Sequence, residues 1–219
     1  MNTSRRSNAK STALWLLAGF LIAAPVAGAD LQPGVAKVQA ILGLAQFSKA
    51  GGAFTPLGPG MVLRPGDLVQ TASGSAVDLY LGEIAGTVRL TQSATLMVDK
   101  LAAGGTNGAS AFDVQLSLRG GELLGLARPV PQGSRFEIKV SNGIAHVMEG
   151  RFRMDAGGRV VVLEGKVILA HVPTGGEASA HTLTAPPGVY FAPQEGVQPV
   201  SKDLAREIMK QMRPKLPRR

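Results

Sequence analysis

The chain of 219 residues has no cysteine. Disulfide bonds and zinc sites built from thiolates are therefore excluded, and no cysteine is available to carry a lipid anchor. Without such cross-links, burial of apolar side chains must stabilise the folded state, and these residues make up 45% of the composition.

Aromatic residues are scarce, at 5% of the chain, and there are only three histidines. The aromatic side chains are predicted to be core residues of strands, which argues against a stacking surface for nucleic acid. His146 and His171 lie in predicted strands and His181 in a predicted loop, with no carboxylate at the spacing of a metal site or a catalytic triad. We therefore predict no metal, no cofactor and no enzymatic activity. A hydrolase assembled from distant residues is the less favoured alternative.

The net charge of +8 is confined to the two ends of the chain. Three basic residues lie in the first ten positions, and residues 201–219 hold seven basic and two acidic side chains. Residues 30–200 hold 13 basic and 13 acidic side chains, so the body is neutral. No nucleic-acid partner is expected, because the body has no basic groove.

Residues 1–29 have the three parts of a secretory signal: a basic start, an apolar run over 14–24, and the small residues Ala27, Gly28 and Ala29. We predict cleavage after Ala29 and a periplasmic or secreted protein. The alternative is an uncleaved membrane anchor, because the uncharged residues between Lys10 and Asp30 approach the ~20 that a spanning helix needs.

Short apolar runs, separated by glycine or proline, fill the chain from residue 30 to residue 200. Many alternate with polar residues, as Phe112 to Leu118 does, and this period of two is typical of half-buried strands. Residues 35–47 fit a helix or a strand pair split at Gly43, and the surrounding pattern favours strands. Residues 102–111 and 173–182 are predicted as loops. The pattern predicts an all-β body of about a dozen short strands in a sandwich, a roll or a short solenoid.

The segment 133–172 is predicted to be a meander of short strands broken at Asn142-Gly143, Gly157-Gly158 and Glu164-Gly165. Val160 to Leu163 is apolar at four consecutive positions, so both faces of that strand should be covered. We expect Gly150 at a turn or a bulge.

One amphipathic helix is predicted over residues 201–212. Ser201 caps its start, and an apolar stripe, formed by Leu204, Ile208 and Met212, follows the helical period. That stripe packs on the β body or engages a partner protein or an anionic surface with the help of the basic residues. These basic contact candidates are Lys202, Arg206 and Lys210.

Three motifs are shared with a known family. The first is residues 63–71, which contain a tight turn at Arg64-Pro65-Gly66-Asp67, together with residues 75–79. Between these two parts, a second turn is predicted from Thr71 to Ser75. The second is Val88-Arg89-Leu90 with Leu96. The third combines residues 136–140, 143–147 and 160–167.

In these places, over residues 35–172, the chain resembles the FecR-type domain, the periplasmic sensory part of ferric-citrate-type regulators, which also occurs detached in exported bacterial proteins. The turn residues that carry the resemblance are Pro65, Gly66, Asp67, Thr71, Gly150 and Gly165. Where the family usually has Arg-Gly-Thr, this chain has Glu149-Gly150-Arg151.

The resemblance implies a domain at residues 30–200 that binds or senses another envelope protein or a polymer, followed by the helix and basic tail at 201–219. The family's regulators place a sigma-binding domain before a membrane helix. Only ten residues precede the uncharged stretch that contains the apolar run here, so we expect no anti-sigma role by that route. The alternative is a structural envelope module that self-assembles or associates with the membrane through its basic tail.

Overall fold

A computed structural model of the protein describes residues 31–83, 85–105 and 111–212. The predicted signal segment and the basic residues after Met212 lie outside the described residues.

The described residues form seventeen strands and one helix, which confirms the predicted all-β body. In chain order they are β1 (Leu31–Pro33), β2 (Ala36–Leu42), β3 (Ala45–Ser48), β4 (Phe54–Pro56), β5 (Val62–Leu63), β6 (Leu68–Thr71), β7 (Ala76–Tyr80), β8 (Thr87–Leu90), β9 (Thr95–Gly104), β10 (Ala111–Gly120), β11 (Glu122–Ala127), β12 (Arg135–Val140), β13 (Gly143–Asp155), β14 (Val160–His171), β15 (Ser179–Ala185), β16 (Val189–Ala192), β17 (Gly196–Pro199) and α1 (Lys202–Met212).

Twelve strands form one curled sheet in the order β4–β3–β6–β9–β10–β12–β13–β11–β8–β7–β2–β5. All neighbours in this order are antiparallel except β10 and β12, which run parallel. The long strand β13 pairs with β12 through its first half and with β11 through its second half. It therefore joins the two halves of the sheet, which are β4–β3–β6–β9–β10–β12 and β11–β8–β7–β2–β5. β14 pairs along the other edge of β13 and carries β15 and β16.

β13 and β14 bend together at two glycines that lie opposite each other. Gly150 has φ +105° and Gly165 has φ +85°, and the register of the pair shifts on both sides of them. A Cβ atom on Gly150 would lie 1.8 Å from the carbonyl oxygen of Glu164, so no other residue fits without moving the backbone. The bulge predicted at Gly150 is therefore confirmed.

The core lies between the two halves of the curled sheet. Inward-facing residues of both halves belong to one buried cluster, and the rings of Phe136 on β12 and Phe152 on β13 meet edge to face at 6.5 Å. Val160 and Val162 of β14 point into this core, while Val161 is buried under the helix. The prediction that both faces of this strand are covered is confirmed.

Several local predictions need correction. The segment 133–172 holds two long bent strands after β12 instead of a chain of short ones, because a bulge at glycine lets a strand turn a corner without ending. Thr71 is the last residue of β6 and not part of a turn. Residues 179–182, predicted as loop, begin β15, so His181 lies in a strand. These residues have little preference for a strand by themselves, and they form one because they pair with β14.

The strand pair split at Gly43 is confirmed, since β2 and β3 flank that residue and its φ is +75°. The tight turn at Arg64-Pro65-Gly66-Asp67 is confirmed as well: the backbone N–H of Asp67 donates to the carbonyl of Arg64, and the Asp67 carboxylate accepts from the N–H of Arg64.

Candidate functional site

The candidate site is a groove on the outer face of the sheet, beside helix α1. Cross-strand pairing places Ala40, Asp78, Arg89 and Leu124 in one row across β2, β7, β8 and β11. The helix covers the Leu124 end of this row, where Ile208 is buried against Leu124 and Val161. The β2, β7 and β8 portion forms the floor, and the end of the helix forms one wall.

The groove has a volume of about 1570 Å³. Its floor mixes apolar and polar side chains, and the helix contributes Glu207, Lys210 and Gln211. The remaining lining residues are Gln39, Ala40, Ile41, Leu42, Pro59, Gly74, Ser75, Ala76, Asp78, Arg89, Thr91, Gln92, Ser93, Glu122 and Leu124.

An ion pair on the groove floor ties the helix to the sheet. Arg89 donates from Nε to Asp78 Oδ1 at 2.5 Å and from Nη2 to Oδ2 at 2.7 Å. Its third nitrogen, Nη1, donates to the backbone carbonyl of Gln211 in the last turn of α1. The hydrogen bond to Asp78 raises the pKa of Arg89, against the opposing effect of burial. The positive charge of Arg89 at the carboxyl end of α1 also stabilises the helix, because it interacts favourably with the helix dipole.

One end of the groove is a rigid corner of the sheet. The N–H of Leu44 donates to Ser75 Oγ at 2.9 Å, and its carbonyl accepts from the N–H of Ala72. The N–H of Gly74 donates to the side-chain oxygen of Gln92 at 2.9 Å. Leu44 is nevertheless 75% exposed. A hydrogen-bonded backbone therefore holds a large apolar side chain in the solvent at this corner.

The titratable side chains of the described residues form no recognisable catalytic constellation around the groove. His146 Nδ1 lies 3.6 Å from Glu137 on the neighbouring strand, His171 is buried beside Asn142, and His181 contacts Ser179. All three belong to β13, β14 or β15 and not to the groove. The sequence could not show the His146–Glu137 proximity, because it arises from strand pairing.

No cluster of three or more possible metal ligands occurs within the described ranges. A smaller cavity of about 390 Å³ lies beside β3 and β4 and includes Phe47, Thr55 and Met61. Of the helices in the described part of the chain, none has the length and apolar character needed to span a membrane.

The structure separates the residues singled out from the sequence into three places. Pro65, Gly66 and Asp67 form the turn before β6, and Gly150 and Gly165 form the bend of β13 and β14; neither place is in the groove. The apolar stripe of α1 packs on the body, with Ile208 fully buried and Leu204 and Met212 packed around it. Lys202, Arg206 and Lys210 are exposed, and Lys210 also lines the groove.

Sequence reasoning missed the groove residues Asp78 and Arg89. Each sits in an ordinary alternating strand, so the only available signal was a pair of opposite charges in neighbouring strands. Comparison of the chain with protein-family models, curated proteins and solved structures found no match.

Proposed function

We propose that this protein is an exported, non-enzymatic binding module that holds an extended segment of another envelope protein in the groove beside α1. The observation that carries the proposal is the groove itself, an open channel of about 1570 Å³ between the sheet and the helix.

The size of the groove favours a chain-like ligand. Enclosed sites for small molecules usually measure about 300–1,000 Å³, and this groove is larger and open. The side-chain amides and hydroxyls along it, such as Gln39, Thr91 and Ser93, can pair with the backbone of a bound segment. Its described lining includes no aromatic ring on which a sugar could stack, so a polypeptide is favoured over a polysaccharide.

The resemblance to the FecR-type domain supports the same function, because that domain is the periplasmic sensory part of ferric-citrate-type regulators. The neutral body and the fixed polar corner at Ser75 and Gln92 are consistent with recognition of a partner.

Site-directed photocrosslinking in the native envelope tests this proposal. A photoreactive residue at Gln39 or Ser93, both exposed in the groove, should give the same discrete adduct. The matched control is Thr182, which is exposed on β15 away from the groove. The adduct should also weaken when Asp78 and Arg89 are both replaced by alanine. Equal adducts from all three positions, or none from the groove positions, would contradict the proposal.

A second candidate function is a structural module that assembles with copies of itself. Among the described strands, β15 pairs only with β14, so its outer edge offers backbone groups for pairing with another chain. Self-assembly predicts particles that grow with concentration in analytical ultracentrifugation. A monodisperse monomer over a wide range of concentrations would exclude it.

A further inference from the structure

We propose that the outward face of α1 is a docking surface for anionic phospholipid membranes. This inference goes beyond the groove and does not depend on it. Helix α1 carries two stripes on opposite sides, one apolar and one basic, and the apolar one packs on the sheet.

The basic stripe faces the solvent because the apolar stripe is buried. Lys202, Arg206 and Lys210 follow each other at intervals of four residues, so they share one face of the helix. All three are exposed, whereas Ile208 on the other side is completely buried. Membrane contact therefore does not require the helix to detach from the body.

The surface also includes residues from the helix flank and the sheet. Met209 is 36% exposed, and its sulfur lies 3.6 Å from Arg151 Nη1 on β13. Arg151 adds a further positive charge, and Met209 adds an apolar side chain that can enter the headgroup layer. Lys202, Arg206, Lys210 and Arg151 thus place four positive charges along the helix beside one apolar side chain.

Three carboxylates border this patch. Asp203 pairs with Arg206 at 2.8 Å, Glu164 pairs with Arg151 at 3.1 Å, and Glu207 faces the groove. The Asp203–Arg206 pair is exposed, with side chains 91% and 77% accessible. Exposed pairs of this kind contribute little, so the guanidinium can exchange Asp203 for a lipid phosphate.

The distribution of charge in the sequence favours an extended anionic surface over a single anion. The three basic residues of the helix span eight positions, or about 12 Å along the axis, which is too far for one phosphate group to contact all of them. Residues 213–219 add four more basic side chains and no acidic one. The rest of the chain from residue 30 is neutral, so attraction to a negative surface would orient the protein with α1 toward it.

Co-sedimentation with lipid vesicles tests the inference. The protein from Asp30 onward is suitable, because residues 31–212 enclose their own core and the apolar run of residues 14–24 would itself enter lipid. We expect binding to vesicles that contain phosphatidylglycerol, little binding to pure phosphatidylcholine, and loss of binding at about 0.5 M salt. The triple substitution Lys202→Glu, Arg206→Glu and Lys210→Glu should reduce the partition coefficient more than about tenfold.

The matched control reverses three exposed basic residues elsewhere, Lys49, Arg64 and Arg128, and so changes the net charge equally. It should retain binding within about threefold. Equal loss in both triple variants, equal binding to neutral vesicles, or no binding to anionic vesicles at low salt would overturn the proposal.

Binding to duplex DNA is measured as well. If the protein binds DNA more tightly than anionic vesicles, and if the helix variant loses that binding, the partner of this face is another polyanion and the membrane proposal is overturned. The double substitution Lys202→Glu and Arg206→Glu leaves every groove residue unchanged, so it should weaken vesicle binding while the photocrosslinks from the groove persist. Failure of one proposal is therefore distinguishable from failure of the other.

Discussion

Gly150 and Gly165 show how single residues fix the shape of the sheet. Both have positive φ, and each leaves space that the carbonyl of the opposite strand fills. At Gly165 a Cβ atom would lie 2.3 Å from the carbonyl oxygen of Glu149. Glycine is therefore required on both strands, and its absence would remove the bend that brings the two halves of the sheet over one core.

We predict that Gly165→Ala destabilises the protein much more than Gly60→Ala, measured by urea unfolding. Gly60 has nearly the same φ, +83°, but a Cβ there would meet nothing within 4 Å. Gly60→Ala is the control, and it should lower the free energy of unfolding only by the backbone strain, about 1–3 kcal/mol. The clash with Glu149 should add about 1–3 kcal/mol at Gly165, and equal losses would contradict this account of the bend.

Asp113 supplies a prediction about pH. Burial raises its pKa, but hydrogen bonds from Lys100 at 2.7 Å and Gln115 at 3.0 Å, with the charges of Lys100 and Arg135, lower it by more. The pKa of Asp113 in the folded protein is therefore below its unfolded value of about 3.9.

Because the folded pKa is depressed, the stabilisation is present above about pH 4 and disappears as the pH falls through the folded pKa. We predict that Asp113→Asn lowers the free energy of unfolding at pH 7 and that the difference from the original protein shrinks below about pH 4. Asp203→Asn, at an exposed pair, is the control and should have little effect at either pH. A difference for Asp113→Asn that stays constant with pH would rule out this explanation.

At the scale of elements, α1 is held by a small cluster that is separate from the main core. Ile208 packs with Leu124 and Val161, and none of these three belongs to the cluster between the halves of the sheet. A helix of 11 residues has little stability of its own, so its attachment depends on that cluster and on the bond from Arg89 to its last turn.

We predict that Ile208→Ala releases the helix while the sheet remains folded. The cost of truncating a buried isoleucine, about 2–5 kcal/mol, is comparable to the whole stabilisation available to such a helix. Hydrogen exchange should accelerate at the amides of α1 and stay slow in β13 and β14. Met209→Ala, at the exposed neighbour, should leave exchange in the helix unchanged, and unfolding of the sheet together with the helix would show that α1 is integral to the core.

For the whole molecule, β13 and β14 run through both halves of the sheet, so the halves should unfold together. The Phe136–Phe152 contact joins them across the core. A double-mutant cycle with Phe136→Leu and Phe152→Leu should give a coupling of about 0.5–1.5 kcal/mol, with one transition in every variant.

Phe191 provides the control for that cycle. Its ring contacts His171 and His181, so Phe136→Leu and Phe191→Leu should be additive within about 0.5 kcal/mol. Two separate unfolding transitions would show that the halves are independent units.

Local patterns in the sequence were sufficient for most elements but not for their pairing. Alternation of apolar and polar residues predicts β10 and β12, and Pro65-Gly66-Asp67 predicts the turn before β6. Ser201 predicts the start of the helix, and its Oγ accepts a hydrogen bond from the N–H of Leu204. The residues around His181 are small and polar, a pattern that predicts a loop. The strand there forms only because β14 offers a long edge for it to pair with.

The all-β composition, the amphipathic helix and the neutral body with a basic end can be predicted from the sequence, because each depends on the order or number of nearby residues. Three features are visible only in the folded arrangement: the parallel pairing of β10 and β12, the contacts of Arg89 with Asp78 and the end of α1, and the groove beside the helix. These features join residues far apart in the chain, and the free energy that selects such pairings comes from packing across the whole core. The basic face of α1 depends both on the sequence pattern and on tertiary packing. The helical period places its three basic residues on one face, and burial of Ile208 on the opposite side turns that face to the solvent.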